Sequence, residues 1–239
     1  MLDASADQMH FARIAKTRFN FNMENYTDLS TISGKQSYFY PNRIGRVILL
    51  AMEEILGHSG VNAVLNLAKL PGYINDYPPY NQDRAIPFKH ISHLQVGLEA
   101  AYGPRAGRGL AMRVGRACLK YGLREFGPEL GLTDLAFRLL PLQTKLKNGS
   151  EAFAALFNNF TDQIVRLERD EKYIYWHIER CPLCWERQAE APCCHLAVGL
   201  LQEALFWVSG GKYFEVEEKK CIACGDSACT IVIDRTPMG

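Results

Sequence analysis

Two Cys-x-x-Cys pairs, Cys181-Pro-Leu-Cys184 and Cys221-Ile-Ala-Cys224, carry the chemistry most visible in this sequence. Between them lie the vicinal pair Cys193-Cys194 and His195, and Cys229 follows. Seven of the 8 cysteines therefore fall in one stretch, while Cys118 lies far upstream. A Cys-x-x-Cys turn aims two thiolates at one point, and thiolates gathered from two turns and a helix start form the tetrahedral sulfur-rich site that zinc prefers. Isolated thiols would instead pack as small hydrophobes. The spacing favours metal, and residues 181–234 read as a metal-binding subregion. His195 is a further donor beside Cys194 at a helix start, where the positive helix end lowers thiol pKa values.

Other chemistry has little support. The chain shows no Gly-x-Ser-x-Gly elbow and no His-Glu-x-x-His helix, so hydrolysis is not indicated. The run Gly103-Pro-Arg-Ala-Gly-Arg-Gly109 lacks the terminal Gly-Lys-Ser/Thr of a phosphate loop and any preceding apolar strand. No glycine fingerprint for a dinucleotide opens a βαβ unit, so a reductase would have no visible hydride source. An iron–sulfur cluster on the cysteines is the alternative cofactor, although the ferredoxin-type cysteine run is absent. Lys and Arg number 27 against 26 Asp and Glu, a net charge of +1, which argues against nucleic acid as a partner. No apolar run is long enough for a transmembrane segment, and the N-terminus lacks a signal peptide's apolar centre. Cysteine usage without such a signal implies a reducing, cytoplasmic setting.

The elements that must position these residues follow from periodicity. Residues 1–40 are polar and irregular, with Phe11, Phe19 and Phe21 able to dock on the rest, and a single domain spans 41–239. Ile44 to Leu56 repeats apolar residues at helical steps, and Val61 to Leu70 resumes after Gly57 and Gly60. The segment from Pro71 to Pro87 reads as a long loop and a candidate lid, with Tyr73, Tyr77 and Tyr80 as anchors. His90 to Tyr102 is helical and ends at Gly103-Pro104. A second helix follows, thinned by Gly107, Gly109, Gly115 and Gly122, which implies close approach by a neighbour. Pro128 to Pro141 predicts a short helix with Leu130, Leu132, Leu135, Phe137, Leu139 and Leu140 in the core, and Thr144 to Phe160 another helix.

From Ile164 the period becomes two, giving a hairpin whose second strand turns Ile174, Trp176 and Ile178 inward. A helix over Cys193 to Val208 and strands over Lys212 to Lys220 and Thr230 to Asp234 complete an α+β fold: helices first, then a β-β-α-β-β antiparallel sheet. Apolar helices packed on that sheet would line a pocket with Trp176 and Trp207, suited to a flat, apolar or lipid-like ligand.

The last part of the chain also carries a resemblance. A helix-opening cysteine, an amphipathic helix, the strand motif Val216-Glu-Glu-x-x-Cys221 and the turn Gly225-Asp-x-x-Cys229 occur in that order. The stretch resembles the 4-vinyl reductase domain family, densely from residue 181 onward and more loosely back to Pro41. That family is similar in fold to heme nitric-oxide-binding sensors and to TRAPP-type transport subunits. Its members include a protein tied to the 4-vinyl step of bacteriochlorophyll synthesis and the input domains of phenol-sensing transcription factors. The resemblance implies a structural zinc on Cys194, Glu218, Cys221 and Cys229. A one-residue offset leaves Cys193 or His195 as rivals for Cys194. Cys181, Cys184 and Cys224 exceed the family pattern and imply second or alternative ligands. It further implies a homodimer, a tetrapyrrole as the ligand class, and a sensor, carrier or assembly factor in a photosynthetic or signalling assembly, reaching a membrane only through a partner. The alternative is an enzyme or enzyme subunit that reduces the 4-vinyl group of a chlorophyll precursor.

Overall fold

Pro41 closes a short strand and opens the first long helix. In the computed structural model, residues 37–130 and 135–238 are described. Strand β1 (Phe39–Pro41) straddles the boundary expected between residues 40 and 41 and leads into helix α1 (Asn42–Leu67). The docking expected of Phe11, Phe19 and Phe21 lies outside the described residues.

Along α1, Ile44, Val47, Ile48 and Ala51, then Val61, Val64 and Leu65, are buried, the single apolar face that helical spacing dictates. Gly57 takes a positive φ of 71° and kinks the helix without ending it. The sequence suggested no segment able to span a bilayer, yet α1 is long and apolar enough by length and composition alone. Its apolarity serves the core: the kink interrupts it and its inner face packs against the helix that follows.

The segment expected as one loop from Pro71 to Pro87 is partly ordered. A 3-10 turn covers Pro71–Tyr73, and strand β2 (Arg84–Pro87) pairs antiparallel with β1, Tyr40 opposite Ile86. The prolines hid this strand, because a two-stranded edge ribbon tolerates them where a central strand would not. Helix α2 (Phe88–Leu130) is two helical segments joined across a kink at Gly103, where the sequence placed a helix end. Gly103 bends it at φ 79°, and Pro104 opens the continuing segment, where its missing N–H matters least.

The short helix α3 covers Leu135–Arg138 among the described residues. Phe137 is buried as expected, but Leu139, just past the helix end, is 78% exposed. The side chains of Leu130, Leu132 and Leu135 lie outside the described residues. Helix α4 (Leu142–Phe160) packs on strand β3 (Ile164–Arg169), which forms a hairpin with β4 (Tyr173–Arg180). Helix α5 (His195–Ser209), β5 (Phe214–Lys220) and β6 (Cys229–Pro237) follow. The four-stranded sheet runs β3-β4-β6-β5, antiparallel throughout. Ile174, Trp176, Ile178, Ile231 and Ile233 form its buried face. Helix α2 packs along both α1 and α5, so the core lies between the helices and the inner face of the sheet.

Candidate functional site

Four chain ends meet at one end of the sheet. Strand β4 finishes at Arg180 and hands directly to Cys181. Cys194 is the N-cap of α5. Strand β5 turns Phe214, Val216 and Glu218 inward by its alternation and gives way to Cys221. A 3-10 turn over Ile222–Cys224, closed by Gly225 at φ 96°, returns the chain to Cys229, the first residue of β6. Cys181, Cys184, Cys194, Cys221 and Cys229 are all buried there with free thiols.

Their sulfurs are mutually close. Cys194 Sγ lies 3.7 Å from Cys229 Sγ and 3.9 Å from Cys221 Sγ, and Cys221 to Cys229 measures 3.8 Å. Cys181 Sγ is 3.5 Å from Cys194 Sγ, and Cys184 Sγ is 3.4 Å from Cys229 Sγ. Metal–sulfur bonds of ~2.3 Å place the sulfurs of a tetrahedral site about 3.8 Å apart. The Cys194–Cys221–Cys229 triangle therefore has the dimensions of one tetrahedral face. None of these separations is a disulfide, whose sulfurs lie at about 2.05 Å.

Glu218 supplies the fourth corner. Its Oε2 accepts the backbone N–H of Cys194 at 2.7 Å, which ties β5 to the start of α5. Its Oε1 is buried without a hydrogen-bond partner among the described residues, a costly state unless a cation or proton satisfies it. Burial, and then the nearby Cys221 sulfur, push the carboxyl up to about 8. Neighbouring thiols, Cys184 first, donate toward Cys221 and hold its thiol well below the usual range. The N–H of Cys221 donates to Asp226 Oδ2 at 2.8 Å, which fixes the turn, and that of Ile222 donates to Cys229 Sγ at 3.3 Å. Together these donors fit a zinc-class ion.

Other residues singled out from the sequence fall elsewhere. Cys193 is buried, 3.9 Å from Cys221 at the sulfur, but outside the sets whose donor atoms converge. His195 is half-buried, its Nε2 unpartnered among the described residues, and it joins neither set. Cys224 is exposed and joins neither set. The residue that sequence reasoning missed is Gln95 on α2. Buried, it donates from Nε2 to Leu183 O at 2.8 Å and accepts from Leu196 N at 3.3 Å. It thus clips the first Cys-x-x-Cys turn to α5; a lone glutamine in an apolar helical pattern was the available signal.

Beside the cluster an apolar cavity of about 100 Å³ lies between the helices and β4. Val47 of α1, Cys118 and Gly122 of α2, Phe157 of α4, Trp176 of β4 and Leu200 of α5 line it. Leu183 and Leu196, each next to or near a cluster cysteine, form the shared wall. At its polar end Tyr40 Oη donates to Gln163 Oε1, and Thr161 Oγ1 accepts from Gln163 N at 2.9 Å, so these groups satisfy each other. Among the described residues its walls carry no histidine. Of the expected pocket and lid residues, Trp176 lines this cavity. Tyr73 bonds His90, Tyr77 donates to Glu53 at 2.7 Å, Tyr80 is exposed beside Arg43, and Trp207 borders a separate surface depression near Phe137 and Lys145.

Helices leading into a four-stranded antiparallel sheet, with a cavity between, make an α+β fold. That fold is the one of H-NOX proteins. An H-NOX protein from S. oneidensis in the Fe(II)NO ligation state aligns over 81% of this chain and 99% of its own, with TM-score 0.52 and 10% identity. The unliganded Fe(II) H-NOX protein from K. algicida aligns over 83% and 97%, with TM-score 0.51 and 11% identity. A structure that probes heme distortion in the H-NOX family gives TM-score 0.51, 14% identity and coverage of 83% and 97%. No protein-family model and no curated protein sequence matches the chain, so the resemblance to 4-vinyl reductase domains rests on the C-terminal motif residues.

Proposed function

We propose that this chain is a small-molecule-binding domain that acts as a sensor, carrier or assembly factor. In this reading zinc on Cys194, Glu218, Cys221 and Cys229 staples α5 to the β5–β6 turn, and the cavity takes a flat apolar ligand. The observation that carries it is the cavity, apolar on nearly every side and walled partly by the residues that flank the cysteine cluster. Zinc supplies cross-linking here: it fixes the helix start against the hairpin, and ligand thiols must lose their protons for it to bind. The described residues that line the cavity are mostly apolar and include no carboxylate, histidine or lysine.

At about 100 Å³, the cavity is of the order of the ~150 Å³ space that takes a benzene in an engineered core. A tetrapyrrole, the class that the family resemblance suggests and that the heme of an H-NOX structure illustrates, requires the helices to part. Two copies pair in this reading, giving a mass near twice the 27.0 kDa of the chain in light scattering. Titration with a monocyclic aromatic, heme, a vinyl-bearing chlorophyll precursor and a long-chain lipid, each with and without NADPH, tests the reading by absorbance and mass spectrometry. Saturable binding of an unchanged ligand is expected. Loss of the vinyl group with NADPH alone would instead establish the reductase alternative, and no saturable binding by any probe would refute both.

A further inference from the structure

The cysteine cluster contains more donors than one ion can use. One set, Cys194, Glu218, Cys221 and Cys229, brings its ligand atoms within 4.8 Å of one another, and a second set, Cys181, Cys184, Cys194 and Cys229, does the same. Each set has four members, the number a tetrahedral ion takes. They share the Cys194–Cys229 edge, whose sulfurs lie 3.7 Å apart. Each set adds its own sulfur beside that edge, Cys221 at 3.8 Å from Cys229 in one and Cys184 at 3.4 Å from it in the other.

We infer that the cluster is a binuclear site in which Cys194 and Cys229 bridge two zinc-class divalent ions, one completed by Cys221 and Glu218, the other by Cys181 and Cys184. The inference rests on the single structural zinc proposed above and adds the second ion.

Charge favours it. One ion with three thiolates and a carboxylate leaves the buried site at −2, and Cys181 and Cys184 remain as neutral thiols pressed against bound thiolates. A second divalent ion that displaces those two protons adds two positive and two negative charges, so the buried net charge stays at −2. Burying uncompensated charge is expensive; this step buries none. The residual negative charge faces the N-terminus of α5, whose dipole is positive. It also faces Arg187, which holds Glu99 at 3.0 Å through Nη2 and keeps a buried Nη1 without a partner among the described residues. Gln95 holds the Leu183 carbonyl, and thereby the Cys181–Cys184 turn, in place beside the shared edge.

Metal content of the full chain, purified anaerobically and reconstituted with zinc alone, tests this by elemental analysis and native mass spectrometry. Two ions per chain are expected. Cys184→Ser and Cys221→Ser should each retain one ion, Cys194→Ser should lose both, and Cys224→Ser should keep two. Reconstitution with cobalt gives a second readout that does not depend on variants folding: the second equivalent should weaken the electron-spin signal of the first through the shared thiolates. One ion in the wild type, unchanged by Cys184→Ser, would overturn the binuclear site and leave the single staple standing. No bound ion would remove both. Acid-labile sulfide in stoichiometric amount would replace the site with an iron–sulfur cluster.

Discussion

Gly115 of α2 and Gly199 of α5 stand where the two helices touch backbone to backbone. A Cβ on Gly115 would lie 2.1 Å from Leu196 O, and one on Gly199 would lie 2.0 Å from Met112 O. Both clashes are with main chain, so no side-chain rotation relieves them. The crossing sets the height of α5 on α2, and with it the position of Cys194 at the α5 N-terminus and of Leu196 in the cavity wall.

Alanine at either position should therefore push the helices apart. Overpacking typically costs about 1–3 kcal/mol, and a backbone clash on both sides should fall at the upper end. Gly109 provides the internal contrast. It is exposed on the same helix and a Cβ there meets nothing within 4 Å, so Gly109→Ala should stabilise by up to about 1 kcal/mol through helix propensity. Urea unfolding of the three variants checks this. Equal effects at Gly109 and Gly199 would show that the crossing does not limit the packing.

The same helix shows what was legible in the sequence. Four glycines announced a close neighbour, and Gly115 has one in α5, but which of them faced it depended on where α2 bends at Gly103. The period of two from Ile164 onward placed Trp176 and Ile178 inward, because one face of an antiparallel sheet must be buried. That alternation also held a sign that was underweighted: Phe214, Val216 and Glu218 share a face, so a carboxylate at the third position is buried unless the strand twists out. Of the second metal set, Cys181 and Cys184 stood out in the sequence as second or alternative ligands, but not their partners. Cys181 and Cys184 meet Cys229 across long sequence separation, and only the β4–β6 register, Ile178 opposite Cys229, brings them together. For a related reason the sequence marked Tyr73 and Tyr77 as anchors without showing to what: their partners, His90 and Glu53, are found only in space.

The contact between Tyr73 and His90 has a pH signature. Tyr73 Oη lies 2.9 Å from His90 Nδ1, and burial, followed by Lys89 and His93, lowers the His90 pKa to about 4. At neutral pH the ring is uncharged and Nδ1 accepts the tyrosine proton; protonation would replace that acceptor with a donor. An unfolded histidine titrates near 6.5, so the folded state binds the proton less readily than the unfolded one. Stability from this pair should be complete above about pH 6.5 and fall as pH drops toward 4. Ring exposure to solvent keeps the effect modest. Thermal melts of wild type and His90→Gln between pH 7 and 4 should converge as the pH falls, because only the wild type loses this contribution. Parallel curves would show that His90 is not held neutral.

The cavity makes the most direct claim on function, and filling it separates a binding site from a packing flaw. Ala197 lines it from α5, next to Leu196 and one turn before Leu200 and Leu201. Leucine there adds three carbon atoms to the walls of a space of about 100 Å³, enough to close it without displacing backbone. Protein interiors gain from filled voids and lose from forced ones, so the melting temperature of Ala197→Leu should stay level or rise. Apolar cavities of this kind stay dry and accept benzene or xenon. In the wild type, benzene should then raise the melting temperature in proportion to the logarithm of its concentration once the site saturates, and in Ala197→Leu it should not. The larger ligand panel should follow the same division if those ligands enter by this route. A benzene shift that survives in the variant would place the binding elsewhere, at the surface depression beside Trp207 for instance. A variant destabilised by more than about 2 kcal/mol would mean that the space is already occupied by the walls themselves, and the reading of this domain as a ligand-binding module would lose the observation that carries it.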